Sequence, residues 1–300
     1  MTPMEKIRRL QQSGNFQFTK SLGQNFLTDE NILRKMAVTA RLTKADAVIE
    51  IGPGAGIVTE MLLQEAGSVL AVEIDKSLIP FLQETLGHYP HFTLWHQDVL
   101  KADLAGWITE QREAGFQSIK VVGNLPYYVT TPIIMKLLED GLDIDLMLFM
   151  IQKEVAQRLA AKPGTKDYGA LTVGARFYCE AEKVFDVSAQ VFIPRPKVAS
   201  AVVRLTRHET PPAEIPDPAL FFQLVRAAFG QRRKTLLNAL GTMPDAVDKA
   251  DVARRLDAAG IEANRRGETL SIEEFARLAS VWPDSSDNQE QGRVNRFKKQ

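Results

Sequence analysis

Short β-rich runs alternate with segments of helical periodicity between residues 46 and 161, and this alternation limits the chain to few folds. It predicts a doubly wound α/β fold with a mostly parallel, Rossmann-like sheet, in which ligands bind beyond the carboxyl ends of the strands. The predicted strands are Asp46–Ile51, Ser68–Ile74, His91–His96, Ile119–Gly123 and Asp145–Ile151, and the predicted helices cover 58–65, 76–86, 131–138 and 154–161.

The second half of the chain changes character. Two further strand-like runs, Lys183–Val187 and Ala199–Arg207, predict an antiparallel finish to the sheet. A proline-rich stretch at 211–216 breaks this pattern, and residues 221–278 are helical in character. The final residues are polar and charged, which is typical of disordered segments. We therefore expect a sheet domain over 1–210, a small all-α domain over 211–282 and a disordered polar tail over 283–300.

Composition constrains the compartment. The chain has 300 residues, 45% of them hydrophobic, and a single cysteine, Cys179. One cysteine cannot form an intramolecular disulfide, and the apolar neighbours Phe177 and Tyr178 favour a buried structural thiol, so we expect a reducing compartment. Residues 1–20 contain no apolar leader segment, and no apolar run approaches membrane-spanning length. A cytoplasmic protein without a membrane partner is expected.

The charge of the chain is balanced but unevenly distributed. There are 37 basic and 37 acidic residues, a balance that does not by itself favour a nucleic-acid partner. Residues 193–208 and 226–238 nevertheless contain cations and no carboxylate. These cations are Arg195, Lys197, Arg204 and Arg207 in the first cluster and Arg226, Arg232, Arg233 and Lys234 in the second. Such clusters can form a basic face that binds nucleic acid, and solvated surface charge is the alternative.

A glycine turn, Gly52-Pro-Gly-Ala-Gly56, follows the first predicted strand and precedes a helix. It lets the backbone approach a ligand closely, beside free N–H groups at the helix start. A nicotinamide site would place glycine where this chain has Ile57, so the spacing favours S-adenosylmethionine, which has no pyrophosphate. Glu73 ends the next strand, where its carboxylate can accept from two ribose hydroxyls. Asp98 ends the third, placed to accept from the cofactor's adenine amine. A purely structural turn is the alternative.

The predicted strand at 119–123 ends in Asn124-Leu-Pro-Tyr127. This combination suits a poor nucleophile, the exocyclic amine of adenine, whose lone pair is delocalised into the ring. The Asn124 side-chain oxygen and a nearby backbone carbonyl can accept its two N–H groups and localise the lone pair, while an aromatic face holds the unstacked base. An ordinary strand end followed by a proline turn is the alternative.

Other residue types that often carry chemistry lack partners in the sequence. His88, His91 and His96 are irregularly spaced with no cysteine nearby, so no metal site is expected. Ser21 and Ser200 have no plausible partner base, which argues against a nucleophilic serine.

Taken together, these motifs resemble those of the ribosomal RNA adenine dimethyltransferases that modify two adjacent adenosines near the 3′ end of small-subunit RNA. The resemblance covers nearly the whole chain up to Trp282. Asn264 and Gly267 depart from the family pattern, a difference that concerns local helix geometry. The matching segments are 20–27, 50–56, 73–75, 97–98, 123–128, 131–133, 191–198, 229–236, 260–261 and 268–271.

The resemblance implies an S-adenosylmethionine-dependent methyltransferase sheet and assigns roles to individual residues. Asn124 and the Leu125 carbonyl are implied to hold the target amine, and Tyr127 and Phe192 to lie on the two faces of the base. Since Phe192 is flanked by Val191 and Ile193, a core aromatic is the alternative for it. The residues implied to contact the cofactor are Asn25, Leu27, Gly52, Glu73, Asp98 and Asn124.

The resemblance also implies a partner, 16S rRNA within the small ribosomal subunit or its precursor, a contribution to subunit biogenesis, and a monomeric enzyme. Three alternatives stay open. A related family methylates large-subunit RNA, but it usually carries Ile where this chain has Leu125 and lacks the pattern at 268–271. The glycine spacing argues against a dinucleotide oxidoreductase. An assembly factor whose methylation is incidental is compatible with the sequence.

Overall fold

The computed structural model describes residues 1–13, 16, 18–19, 22–210, 212–215, 217–231, 233–243, 246 and 248–282. The chain divides into two units. One unit, Met1–Ala160 with Cys179–Arg207, contains the strands. The other unit combines Ala161–Tyr178 with the chain from His208 onward, and its regular elements up to Val281 are helices.

The sheet unit follows the predicted alternation. Each of the first five predicted strands is present, with ends within one residue of the prediction. In chain order the elements are α1 (Pro3–Gln12), β1 (Phe26–Leu27), α2 (Glu30–Ala40), β2 (Asp46–Ile51), α3 (Ile57–Glu65), β3 (Ser68–Glu73), α4 (Ile79–Leu86), β4 (Phe92–His96), α5 (Leu104–Glu113), β5 (Ser118–Asn124), α6 (Thr130–Glu139), β6 (Leu146–Gln152), α7 (Lys153–Leu159), then, after one helix of the other unit, β7 (Cys179–Val187), β8 (Phe192–Ile193) and β9 (Ser200–Arg207).

The large sheet has the strand order β4-β3-β2-β5-β6-β9-β7. The strands from β4 to β6 are parallel neighbours, and β9 and β7 complete the sheet antiparallel, as the sequence predicts. The central strands β2 and β5 are buried along nearly their whole length, which explains why most of their residues are apolar. Chain order reverses between β2 and β5, and such a switch point is where doubly wound sheets bind ligands.

A second, two-stranded sheet joins β1 to β8 antiparallel, with Leu27 opposite Phe192 and Phe26 opposite Ile193. Thr28 extends the contact, because its backbone N–H and its hydroxyl both donate to the Val191 carbonyl, at 2.8 and 2.9 Å. This pairing attaches the N-terminal segment to the loop between β7 and β9.

The helical unit confirms the predicted all-α region. It has a core of its own, in which Phe221, Leu224 and Phe275 are fully buried. The Asp217 and Ser271 side chains accept the N–H groups of the first turns of two helices, which explains where those helices begin. The helices are α8 (Ala170–Tyr178), α9 (Pro218–Gly230), α10 (Leu236–Leu240), α11 (Lys249–Ala258) and α12 (Ile272–Val281).

The observed division differs from the predicted domains in one segment. The prediction placed 161–178 in the sheet domain, but this segment belongs to the helical unit, and the later boundary lies at 207–208 instead of 210–211. The reason is packing: Tyr168 is 1% exposed and its hydroxyl donates to the Leu270 carbonyl at 2.9 Å, while the Gly164 N–H donates to the Glu268 carbonyl at 2.8 Å. The tail predicted for 283–300 lies outside the described residues.

Cys179 begins β7 and is 1% exposed, and burial raises the pKa of its thiol to about 12. The predicted buried structural thiol is therefore confirmed. Across the described ranges, no helix combines the length and the apolar character that crossing a membrane requires.

A buried ion pair joins the two central strands. The Lys120 ammonium on β5 lies 2.7 Å from the Asp46 carboxylate on β2 and also donates to the Arg41 carbonyl at 2.6 Å. Asp46 in addition accepts the Thr43 N–H at 2.6 Å. The pair closes the amino-terminal edge of the sheet, opposite the edge where ligands are expected.

We expect Lys120→Met to lower the free energy of unfolding by about 3–5 kcal/mol, since it leaves the Asp46 carboxylate buried without its counter-charge. Lys153→Met is the matched control, because the Lys153–Asp186 pair is about half exposed and worth at most about 1 kcal/mol. Urea unfolding followed by tryptophan fluorescence measures both. Equal losses in the two variants would contradict the assignment.

Candidate active site

A cavity of about 270 Å³ lies at the carboxyl ends of β2, β3 and β5, at the switch point of the sheet. Its walls come from the N-terminal segment at 22–27, the glycine turn after β2, and the residues that follow β3, β4 and β5. One predicted site residue, Phe192, is not part of the lining. The predicted residues that line the cavity are Asn25, Leu27, Gly52, Glu73, Asp98, Asn124, Leu125 and Tyr127.

The glycine turn needs its glycines for two different reasons. Gly52 and Gly54 have φ of +70° and +58°, in the left-handed region that strains other residues. A Cβ on Gly54 would lie 2.8 Å from Cε1 of Phe26, so the close approach excludes a side chain. At Gly52, no described atom lies within 4 Å of the position a Cβ would take. The missing side chain there leaves room along the cavity wall.

Glu73 connects the end of β3 to the glycine turn. Its Oε1 accepts the Asp75 N–H at 2.8 Å, and its Oε2 accepts the Gly54 N–H at 3.2 Å. Burial raises the pKa of this carboxyl, and these backbone hydrogen bonds lower it in part. Each carboxylate oxygen keeps a second lone pair, so Glu73 can accept from a ligand while holding the turn.

Glu50 lines the cavity as well, and the sequence analysis did not assign it a role. It is 1% exposed, and its Oε2 has no hydrogen-bond partner among the described residues. Burial raises the pKa of this carboxyl to about 8, with Glu73 adding to the rise and Thr59 and Lys6 opposing it. In the sequence, the only feature that points to a role for Glu50 is that an acidic residue stands within the mostly apolar strand β2.

The N-terminal helix supports the glycine turn from behind. Lys6 on α1 is 2% exposed, donates to the Gly56 carbonyl at 2.8 Å and pairs with Glu60 at 3.1 Å. Burial lowers the pKa of the Lys6 ammonium, and the charge of Glu60 raises it in part. Lys6 therefore fixes the junction between the turn and α3, another contact that local sequence does not reveal.

The orientation of the Asn124 side chain follows from its partner. Its Nδ2 donates to the backbone carbonyl of Asn25 at 2.7 Å. A carbonyl can only accept, so the amide nitrogen must face Asn25 and the Asn124 oxygen is the atom left for another donor. The next residue is fixed as well, since the Leu125 N–H donates to the Met150 carbonyl at 3.1 Å.

Tyr127 and Phe192 lie in different surroundings. Tyr127 borders the cavity and its hydroxyl lies 2.7 Å from the Ser200 hydroxyl. Phe192 is 2% exposed and packs in the core beneath the small sheet, because its backbone pairs with Leu27 and its neighbours are apolar. In this structure Tyr127 lines the cavity and Phe192 does not. The role of Phe192 as a stacking face stays a prediction.

The cavity fits the predicted cofactor. S-adenosylmethionine carries a sulfonium and an ammonium, so a site for it needs negative charge and close backbone approach. The Glu73 carboxylate supplies the charge, and the open side of Gly52 supplies the approach. The Glu50 carboxyl adds an oxygen that has no partner among the described residues. Asp98 is held beside them by the Leu100 N–H, at 3.0 Å.

A doubly wound sheet with a glycine turn after its first strand and carboxylates after the next two is compatible with an S-adenosylmethionine-dependent methyltransferase, the class of enzyme that the glycine spacing favours. The comparison with known families is more specific. Residues 15–280 match the family model described as ribosomal RNA adenine dimethylase, and the chain belongs to that family. It is therefore an S-adenosylmethionine-dependent rRNA adenine dimethyltransferase, with the sheet and helical region that the sequence predicts.

Curated relatives share about half of their residues with this chain. A protein named ribosomal RNA small subunit methyltransferase A from Geobacillus thermodenitrificans (strain NG80-2) is 55% identical over 89% of this chain and 91% of its own length. A protein of the same name from Listeria innocua serovar 6a is 50% identical over 94% of this chain and 96% of its own.

Solved structures agree on the fold. A dimethyladenosine transferase from Plasmodium falciparum superposes with a TM-score of 0.68 at 25% identity, covering 84% of this chain and 95% of that one. The 23S rRNA methyltransferase ErmE superposes with a TM-score of 0.64 at 29% identity, covering 86% of this chain and 99% of that one.

We expect Glu50 to make the stability of the protein depend on pH. The pKa of its carboxyl is about 8 in the folded chain and near 4.5 in the unfolded chain. At a pH between these two values, the folded state therefore holds about one more proton than the unfolded state. Stability therefore falls as pH rises from about 4.5 to about 8, in total on the order of 5 kcal/mol, and the loss is complete above that. Glu50→Gln should remove this contribution, while the contribution of Glu73, whose pKa burial also raises, should remain.

Urea unfolding between pH 5 and pH 9 measures the effect. Glu84→Gln is the matched control, because Glu84 is 63% exposed and pairs with Arg9 at the surface, so it should keep the slope of the parent protein. If Glu50→Gln and the parent protein lose stability in parallel, Glu50 is ionised in the folded chain.

Proposed function

We propose that the protein transfers methyl groups from S-adenosylmethionine to the N6 amines of two adjacent adenosines near the 3′ end of 16S rRNA, giving N6,N6-dimethyladenosine. The observation that carries the proposal is the orientation of Asn124. Its amide nitrogen is engaged by Asn25, so its oxygen is available at the cavity, beside Leu125 and Tyr127.

The choice of the small subunit rests on similarity. Relatives named for the small ribosomal subunit are 50–55% identical to this chain over most of its length. The enzyme named for 23S rRNA is 29% identical to this chain. Small-subunit RNA is therefore the favoured substrate.

The residues after β5 position the nucleophile. The Asn124 oxygen and the Leu125 carbonyl accept the two N–H groups of the amine, which localises the lone pair on nitrogen, and Tyr127 supplies the face on which the extruded base stacks. When bound, the cofactor supplies a methyl group already activated by its sulfonium charge. Positioning and hydrogen-bond acceptance are then the work of the protein. Tyr127 borders the cavity, and we propose that Phe192 supplies the second stacking face when substrate is bound.

The cofactor would be held from several sides. Glu73 would accept from the ribose hydroxyls and Asp98 from the adenine amine. Gly52 and the N-terminal residues Asn25 and Leu27 would enclose the remainder of the cofactor, since all three line the same cavity. Glu50 would add a further oxygen acceptor in the cavity wall.

Exposed cations supply candidate RNA contacts. In the first basic cluster Arg195 and Lys197 are exposed, whereas Arg204 pairs with Glu182 at 2.5 Å and Arg207 donates to the Leu142 carbonyl. In the second cluster Arg226, Arg233 and Lys234 are exposed, and Arg232 lies outside the described residues. We assign phosphate contacts to the exposed members, because a cation already engaged by a carboxylate neutralises less phosphate charge.

We further propose that the enzyme acts as a monomer in the cytoplasm on the small subunit or its precursor, and contributes to biogenesis of that particle. Its relatives carry the names of small-subunit enzymes, and both basic clusters lie outside the cavity lining. A role mainly as an assembly factor would leave the particle occupied without requiring methyl transfer.

The test is methylation of small subunits that lack the modification. The purified protein is incubated with labelled S-adenosylmethionine and either small or large subunits, and the modified nucleotides are mapped. We expect two neighbouring adenosines near the 3′ end of 16S rRNA to carry two methyl groups each. Modification of 23S rRNA instead, or particle binding without transfer, would overturn the proposal.

We expect Asn124→Ala to reduce the single-turnover methylation rate by about 10²–10³, by analogy with the loss of an oxyanion-hole donor, since the Asn124 oxygen acts on the reacting amine. Cofactor affinity should change much less. Asn238→Ala is the control, because that amide also donates a hydrogen bond, to Thr235 at 3.0 Å, but lies in the helical unit. A near-normal rate in Asn124→Ala would remove Asn124 from the reaction.

A further inference from the structure

The hydroxyl of Tyr127 is tied to a residue far away in the chain. It lies 2.7 Å from Oγ of Ser200, and either oxygen can donate. Tyr127 itself is on the turn after β5, where one side of it borders the cavity. Stacking of the base uses the Tyr127 ring and does not require the contact between its hydroxyl and Ser200.

Ser200 is among the most firmly placed residues of the sheet unit. It begins β9 and is paired on both sides, with Gln152 of β6 and with Val187 of β7. It is 1% exposed, and the strands on both sides restrain its backbone. The paired strands therefore position the Ser200 hydroxyl next to the turn that carries Tyr127.

We propose that Ser200 is a positioning residue that holds the Tyr127 ring in the orientation that receives the target base. The inference rests on the proposed function, in which Tyr127 supplies the stacking face. It assigns Ser200 a role in substrate orientation without any contact to the substrate.

The physical basis is the geometry of a phenol. The phenolic O–H lies in the plane of the ring, so a fixed hydrogen-bond partner restrains both the direction of the ring axis and the rotation of the ring about it. A ring restrained in advance loses less rotational freedom when the base stacks on it, which is the advantage of preorganisation. Burial raises the pKa of the Tyr127 hydroxyl, and the Ser200 bond opposes this only in part, so the phenol stays neutral and keeps its proton for the bond.

The test is a double-mutant cycle of Ser200→Ala and Tyr127→Phe, with Ser280→Ala as a matched control. The Ser280 hydroxyl likewise takes part in a hydrogen bond, because it donates to the Ala276 carbonyl at 3.0 Å. Ser280 lies in the helical unit. Single-turnover methylation of saturating small subunits gives the rate, and separate titrations give the affinities for the particle and the cofactor.

We expect Ser200→Ala to lower the single-turnover rate by about 2- to 12-fold, the effect of losing a hydrogen bond worth about 0.5–1.5 kcal/mol, with both affinities unchanged. In the Tyr127→Phe background, where the phenolic oxygen is absent, Ser200→Ala should have no further effect on the rate. Ser280→Ala should match the parent protein.

A spectroscopic readout separates positioning from general stability. The chain has five tyrosines, so protein labelled with 3-fluorotyrosine gives a small ¹⁹F spectrum in which Tyr127 is assigned by its loss in Tyr127→Phe. In Ser200→Ala we expect the Tyr127 resonance to move towards that of the exposed Tyr128, while the other resonances stay in place.

Three outcomes are distinguishable. If the parent protein does not methylate small subunits, the proposed function fails, and the ¹⁹F spectrum still reports whether Ser200 orients the ring. If the parent protein methylates them but Ser200→Ala is as fast as the parent, the positioning role fails alone. If Ser200→Ala slows the Tyr127→Phe variant as much as it slows the parent protein, Ser200 acts on the structure generally and the inference is overturned.

Discussion

The pairing of β2 with β3 on one side and with β5 on the other is the constraint on which the site depends. Its register places Ile51 beside both Val72 and Gly123, and the Gly52 N–H continues the ladder to the Val72 carbonyl at 3.0 Å. The glycine turn, Glu73 and Asn124 therefore emerge at one edge without any contact among their side chains being required. A slip of one residue in either pairing would move a strand end by about 3.3 Å and separate these groups.

The same pairing explains why much of the fold could be predicted from the sequence. Central parallel strands are buried on both faces, so their residues are mostly apolar, and this pattern marks β2, β5 and β6 in the sequence. The polar or glycine residue that ends such a run marks the carboxyl end of the strand. Since those ends meet at one edge, the residues placed there by sequence alone line a common cavity.

The features that could not be predicted depend on partners distant in the chain. Residues 161–178 join the helical unit through contacts to residues about 100 positions later, which no local pattern encodes. Phe192 is buried because it pairs with Leu27, and Ser200 matters through its bond to Tyr127. In each case the residue type was visible in the sequence, and its function was decided by a long-range neighbour.

Electrostatics links the burial of the cavity wall to its selectivity. Glu50 and Glu73 are both nearly inaccessible to water, while Lys6, the buried cation closest to the turn, is already engaged by Glu60 and the Gly56 carbonyl. Burial disfavours the ionised carboxyls, so a ligand that brings positive charge restores an interaction that water does not supply. Methyl transfer removes the sulfonium charge and leaves a product with one positive charge fewer. The same carboxyls should therefore attract the cofactor more strongly than the spent product, and we expect this difference to favour exchange between successive transfers to one nitrogen.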